Sequence, residues 1–299
     1  DIIKTYFQPL AKKFAGSLSL IDDAALLNVG KNHQVVITND ILTAGVHFFE
    51  DDPADFVARK GLRVNLSDIA AMGAEPVTYL LALRLPSPAD HRWLKLFSSG
   101  LQHDQDRYGI FLSGGDTVST PGPLSISITM LGQIQANRAL RRSTARSGDD
   151  IWVSGNIGDA SVALEVLKGT INVDNLETRK YLLERFHLPE PRLELGNALI
   201  GIASSVTDIS DGLVADLNNI CEASGVGAII QDKRIPLSKW IVSQILETKQ
   251  LDLPDIISGG GDYELVFTAP PRYGNDIQHL YKKLELRISK VGTIVNDDS

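Results

Sequence analysis

The chain of 299 residues is long enough for one large domain or two ordinary ones, each with a real core. Hydrophobic residues make up 43% and charged residues 22%, the balance of a globular protein, and no apolar run approaches the ~20 residues of a membrane span. A net charge of −8 repels phosphate backbones and argues against nucleic acid as a partner, and the single cysteine, Cys221, excludes an internal disulfide or a multi-cysteine zinc site.

Residues 2–14 place Ile2, Ile3, Tyr6, Phe7, Leu10 and Phe14 at helical spacing. The opening Asp1-Ile2-Ile3-Lys4 lacks the basic start and apolar core of a signal peptide, so a cytoplasmic location is expected. Val35 to Thr38 is a β-branched run ending at Asn39-Asp40, which predicts a strand that delivers polar groups at its end. Asp52-Pro53 starts a helix that runs from about Ala54 to Met72, with Gly73 as its stop. Tyr79 to Leu85 reads as a strand ended by Pro86-Ser87-Pro88, and residues 89–107 as a second long helix. Ile110 to Leu112 and Leu124 to Ile134 read as strands flanking a loop from Ser113 to Pro123.

A basic stretch, Arg138 to Arg146, follows, and the domain boundary is expected near residue 137, giving domains of 1–137 and 138–299. After the turn Ser147-Gly148-Asp149-Asp150 a new strand begins at Ile151. Asp208-Ile209-Ser210-Asp211-Gly212 opens a helix from Leu213 to Ala223, and late strands are expected at Ile256 to Phe267 and Arg287 to Val295. Irregular alternation of strands and helices, with no short repeat, gives a two-domain α/β or α+β fold.

The chemistry-bearing residues are aspartates beside apolar strands: Asp22-Asp23, Asp40, Asp68 with Asn65 one turn before it, Asp116, and Asp208 with Asp211 about Ser210. Mg²⁺ takes oxygen ligands in an octahedron and recruits substrate phosphates to complete it, so carboxylates that converge could hold a polyphosphate without a Walker loop. Each aspartate taken singly has a plainer reading. Asp208 and Asp211 can be helix N-caps and Asp40 a turn residue. Asp68 is harder to explain this way, because a lone carboxylate on an apolar helix face needs a cation or donors. Gly114-Gly115-Asp116-Thr117 and Gly259-Gly260-Gly261-Asp262 could admit phosphate or be tight turns, and no G-x-x-x-x-G-K-[ST] is present. Arg138, Arg141, Arg142 and Arg146 form either a solvated linker or a phosphate clamp. His47 beside Phe48-Phe49 is polar in an apolar setting, and no histidine pair has metal-ligand spacing.

Several segments together resemble a known family. Ile21-Asp22-Asp23-Ala24-Ala25-Leu26, Thr38-Asn39-Asp40 with Gly45-Val46-His47-Phe48, and Asn65-Leu66-Ser67-Asp68 through Glu75-Pro76 are similar to thiamine-monophosphate kinase. So are Gly114-Gly115-Asp116-Thr117, Ala139-Leu140-Arg141-Arg142-Ser143, Asp208-Ile209-Ser210-Asp211-Gly212-Leu213 and Asp262-Tyr263-Glu264-Leu265, in family order over nearly the whole chain. The resemblance implies the two-domain fold shared with aminoimidazole ribonucleotide synthetase, with the N-terminal sheet pairing across a homodimer. It implies ATP and thiamine monophosphate as substrates, thiamine diphosphate as product, and several Mg²⁺ ions. By motif, Asp23, Thr38, Asn39, Asp40, Asp68, Asp116, Asp208 and Asp211 would hold Mg²⁺. Gly115, Asp116, Arg142 and Ser210 would hold ATP, and His47 and the position of Gly261 would face the thiamine phosphate.

Three departures stand out. Gly261 occupies a position where the family usually has Glu, Leu20-Ile21 replaces a Gly-rich approach to the aspartate pair, and the family's aromatic-rich tail has no counterpart up to Ser299. Because the acceptor is already an anionic phosphate, direct in-line transfer aided by metal and Arg142 is expected, without a strong general base. The alternatives are another ATP-using enzyme of the same superfamily, of aminoimidazole ribonucleotide or selenophosphate synthetase type, and a non-catalytic acidic cation-binding protein.

Overall fold

A computed structural model describes residues 2–21, 24–88, 90–245 and 251–297. The chain divides into two compact units, residues 1–69 with 74–137, and residues 70–73 with 138–299.

The first unit opens with the short helix α1 (Gln8–Ala11), preceded by a π-turn over Ile3–Phe7. It continues as β1 (His33–Thr43), α2 (Ala54–Ala71), β2 (Glu75–Pro86), α3 (His91–Tyr108), β3 (Phe111–Thr120) and β4 (Ser125–Gln135). The four strands form one sheet in the order β1-β4-β2-β3, with β2 and β3 parallel and the other pairs antiparallel. Alternation along β1, β2 and β4 divides apolar from exposed positions. Leu42, Leu81, Leu83, Ile126, Ile128 and Met130 are buried, and α2 lies close over them, since a Cβ at Gly61 would stand 3.2 Å from Ile128. Val35, Ile37, Ile41, Leu80 and Val118 are exposed instead.

The second unit runs β5 (Asp150–Ser154), α4 (Asp159–Leu167), α5 (Leu176–His187), α6 (Leu193–Ala198), β6 (Ser205–Ile209), α7 (Leu213–Ser224) and β7 (Val226–Ile230). It ends with α8 (Lys239–Ser243), α9 (Leu253–Ser258), β8 (Glu264–Ala269), α10 (Gly274–Lys283) and β9 (Ile288–Asn296). Its sheet has the order β6-β8-β5-β9-β7, with every pair antiparallel. Two core clusters lie on its two faces. One joins Ile151, Val153, Val266 and Val291 to Leu213, Leu217 and Ile220 of α7. The other joins Trp152, Val206, Leu265 and Phe267 to Leu195 and Ile277. With both faces covered, β5, β6 and β8 are buried along their whole lengths and show no alternation.

Three sequence expectations are corrected. The stretch from Ser113 to Thr120 is strand rather than loop. It pairs in parallel with β2, and its glycines let the backbones close up: a Cβ at Gly115 would stand 1.9 Å from the Leu81 carbonyl oxygen. Asp40 sits within β1 rather than at its end, because β4 supplies partners as far as Thr43. The late strand begins at Glu264, and Ile256 belongs to α9, started by Pro254 in its first turn.

Candidate functional site

In the first unit β1 sorts its polar residues by parity. Thr38 and Asp40 stand opposite buried Met130 and Ile128 of β4 and point toward the helices. There Asp68, from the last turns of α2, accepts a 2.5 Å hydrogen bond from Thr38 Oγ1. Burial, and then the negative charge of Asp68, push the Asp40 carboxyl up to about 6. One turn before Asp68, Asn65 is fully buried, and its Nδ2 donates to the Gly61 carbonyl at 3.0 Å. Its Oδ1 has no hydrogen-bond partner among the described residues. Hydroxyl, carboxylate and amide oxygens are the hard donors that Mg²⁺ accepts, so the residues present fit that ion. Among the described residues no group of three or more His, Cys, Asp or Glu side chains is placed to hold a metal ion. A shell completed by phosphate oxygens and water is the usual arrangement for Mg²⁺.

Asn39 lies on the other face of β1, where its Nδ2 donates to Ser127 Oγ, the Ile128 carbonyl and Thr129 Oγ1 at 2.9–3.1 Å. Asp116 is exposed on β3, and its Oδ1 accepts from the Thr117 amide at 2.7 Å. The register runs Asp40–Ile128–Leu81–Gly115 across the sheet. Asp116 therefore faces opposite to Asp40 and lies three strand spacings away, roughly 14 Å. Within one chain the structure joins Thr38, Asp40 and Asp68 and does not bring Asp116 to them. Gly114, Gly115, Asp116 and Thr117 line a cleft of about 610 Å³, together with Phe14 and Leu26. Asp23 lies outside the described residues.

His47 is exposed on the turn after β1. Its Nδ1 accepts the Thr43 backbone N–H at 3.1 Å, and its carbonyl accepts Lys60 Nζ at 3.0 Å.

In the second unit Asp208 is the buried penultimate residue of β6, and Ser210 and Asp211 form the link to α7. Neither aspartate caps the helix. Gly212 is the N-cap residue, without a side-chain cap, and the Asp211 amide donates instead to Asp216 Oδ2 at 2.9 Å. The plain capping explanation for Asp208 and Asp211 therefore fails. Arg142 Nε donates to Thr207 Oγ1 at 3.0 Å, next in the chain to Asp208, which leaves the terminal guanidinium nitrogens pointing from an exposed side chain.

Gly261 adopts φ +97°, a conformation that favours glycine, and its N–H donates to the Ser210 carbonyl at 2.8 Å. No side chain and no amide remain there for a ligand. The residues after it serve the scaffold, a role that the sequence did not disclose. Asp262 accepts from the Gly158 and Ala160 amides at 2.6 and 3.1 Å, holding the start of α4. Burial pushes its carboxyl up to about 7 against the pull of Arg185 and those two amides. Glu264, fully buried, is bound by Arg192 at 2.5–2.6 Å, Arg185 at 2.9 Å and Ser154 Oγ at 2.6 Å. Burial raises the Glu264 carboxyl, but Arg192, Arg185 and Ser154 outweigh it and hold it below the usual range. The motif Asp262-Tyr263-Glu264 was the available signal. Arg185 and Arg192 lie 79 and 72 residues away and gave none.

Comparison with known proteins agrees with this architecture. Residues 21–134 match the AIR synthase related protein N-terminal domain, and residues 146–299 match the corresponding C-terminal domain. Thiamine-monophosphate kinase from Haemophilus influenzae is 40% identical over 296 residues, 98% of this chain and 88% of that one. The crystal structure of thiamine-monophosphate kinase from Stenotrophomonas maltophilia superposes with a TM-score of 0.85 at 40% identity, covering 93% of this chain and 88% of that chain. AaThiL complexed with AMPPCP and TMP superposes at 0.80 with 27% identity, covering 95% of this chain and 92% of that one.

Proposed function

The chain belongs to the thiamine-monophosphate kinase family, and from that premise we propose that it transfers the γ-phosphoryl group of ATP directly to thiamine monophosphate, with Mg²⁺, to form thiamine diphosphate. The observation that carries this reading is the pair Asp40–Asp68, held together inside the first unit with Thr38. A carboxyl whose proton affinity is raised by burial and by a neighbouring carboxylate forms a site that a divalent cation relieves. The relative AaThiL, with AMPPCP and TMP bound, supports ATP and thiamine monophosphate as the two substrates.

Bound at Thr38, Asp40 and Asp68, Mg²⁺ would supply positive charge and an octahedral template for phosphate oxygens. The remaining demand is to bring two anions together in line, and Arg142 offers terminal N–H donors from a guanidinium anchored by Thr207. The acceptor oxygen is already anionic, so no side chain has to act as a strong base. Asp23, Asn39, Asp116, Asp208 and Asp211 as further metal ligands, and Gly115, Asp116 and Ser210 as ATP contacts, belong to the same proposal. With no side chain at 261, acceptor recognition falls to other groups, of which His47 is the one carried by motif. A cytoplasmic location is part of the proposal as well.

The proposal also includes a homodimer through the first unit. Ile37 and Ile41 stand 63% and 58% exposed on β1, an edge strand, in line with exposed Val35. Such a row loses water contact when a second copy covers it. Asn39 and Asp116 share that face, so a second copy offers the means of bringing them within reach of one another. Light scattering that finds only monomer at micromolar concentration removes this part.

The direct experiment incubates the purified protein with ATP, Mg²⁺ and thiamine monophosphate. Thiamine diphosphate and ADP are expected in equal amounts, and free thiamine should be a poor acceptor because it lacks the phosphate that must be held. Turnover of aminoimidazole precursors in place of thiamine monophosphate would overturn the reading.

A further inference from the structure

Lys60 is a charged residue that the chemistry proposed above does not use. It sits in the second turn of α2 at 7% exposure, and its Nζ donates at 3.0 Å to the carbonyl of His47, thirteen residues earlier. Burying an ammonium is unfavourable unless it is hydrogen-bonded and near an opposite charge. Burial pushes the Lys60 amine down to about 8, and the carboxylate of Asp52 works against that shift. Asp52 also accepts the Phe49 amide at 2.9 Å, so both ends of the Lys60–Asp52 interaction hold the same segment.

That segment is a tight turn. The Val46 and His47 amides both donate to the Thr43 carbonyl, at 3.1 and 3.0 Å, and the Gly45 amide donates to the Phe48 carbonyl at 2.8 Å. Phe48 is buried, whereas the His47 ring is exposed. A backbone N–H can only donate, so the 3.1 Å contact from Thr43 N requires His47 Nδ1 to be the acceptor. The neutral ring then carries its proton on Nε2. An N–H turned outward is the group that an anionic phosphate oxygen takes up.

We infer that Lys60 is a positioning residue for the acceptor's phosphate: by holding the His47 carbonyl it fixes the 43–48 turn so that the imidazole presents Nε2–H to that phosphate. This rests on the proposed reading that thiamine monophosphate is the acceptor. The bond from Lys60 to the His47 carbonyl bears on the acceptor and not on ATP, so its removal should weaken the acceptor and leave ATP alone.

A double-mutant cycle reads this directly. Wild type, Lys60→Met, His47→Ala and the double variant are assayed for KM toward thiamine monophosphate and toward ATP. An inactive wild type would fail the function reading itself, before any variant is compared. With an active wild type, Lys60→Met should raise the acceptor KM roughly tenfold and change the ATP KM less than about twofold. In the His47→Ala background the same substitution should add less than about twofold. An unchanged acceptor KM, a matching rise in the ATP KM, or an undiminished effect in the His47→Ala background overturns the inference. Should Lys60→Met fail to fold, Lys60→Leu, which likewise has no donor, takes its place under the same criteria. The nitrogen-15 shifts of the wild-type His47 ring are an independent reading. They should show a bare, hydrogen-bonded Nδ1 and a protonated Nε2, and a protonated Nδ1 overturns the inference without any variant.

Discussion

Each unit shields carboxylates from water, fully for Glu264 and in part for Asp40 and Asp68, and the two arrangements solve opposite problems. Glu264 in the second unit lies among Arg192, Arg185 and Ser154, which hold its carboxyl below its ordinary range despite full burial. Asp40 in the first unit lies beside another carboxylate, Asp68, and its own carboxyl is pushed up to about 6. The first arrangement is complete as folded and stabilises the sheet. The second holds two negative charges together in a way that a cation improves. Charge balance thus separates scaffold from site more sharply than burial or motif membership does, since all three acids lie in motifs of the same family.

Breaking the complete network should have the largest effect. Glu264→Gln keeps the shape but leaves two largely buried guanidiniums short of a counter-charge. The expected loss is about 4 kcal/mol of stability, a fall of about 10 °C in Tm. Scanning calorimetry on the variant checks this, and a fall of under about 2 °C would mean that the arginines find solvent or other partners.

The incomplete pair should respond the other way. Asp40→Asn keeps one oxygen and removes the charge, and it should lower the rate at saturating Mg²⁺ about a hundredfold, roughly 3 kcal/mol in the transition state. Without metal its Tm should hold or rise, because like-charge repulsion is gone. Initial rates paired with metal-free melting decide the matter. A normal rate would remove Asp40 from the site.

The smallest effect sharpens the comparison through pH, at another fully buried acid. Asp262 releases its proton near pH 7 when folded, against an ordinary value of 3.8. The folded chain therefore holds a proton that the unfolded chain has lost between those values, and stability falls as pH rises from about 4 to about 7. Asp262→Asn cannot titrate and gives up one of two amide contacts at the start of α4. It should melt below wild type at pH 5, with the gap narrowing by about 5–7 °C at pH 8. A gap independent of pH would show that Asp262 is already ionised throughout.

Much of the fold was legible in the sequence. The long helices ending near Gly73 and Tyr108, the strand entering at Ile151 and the helix opening after Gly212 all followed from periodicity, proline and glycine, which are local signals. The order of the motifs was enough to indicate the family, and with it the aspartates worth following.

Tertiary structure decided the rest, and the reason is long-range pairing. Gly114-Gly115-Asp116 reads as a turn until β2 runs alongside it, and Asn39-Asp40 reads as a strand end until β4 carries the pairing on to Thr43. Alternation within β1 then turns Thr38 and Asp40 toward Asp68 and turns Asn39 away, a sorting that requires knowing which face is covered. Glu264 could not be told from a metal ligand until Arg185 and Arg192 were placed beside it, and Lys60 was one more helix cation until its amine met the carbonyl of His47. Composition and spacing fix most of the helices and the residue types that each element carries. Which charges are balanced depends on contacts between residues tens of positions apart, and only the folded chain sets those.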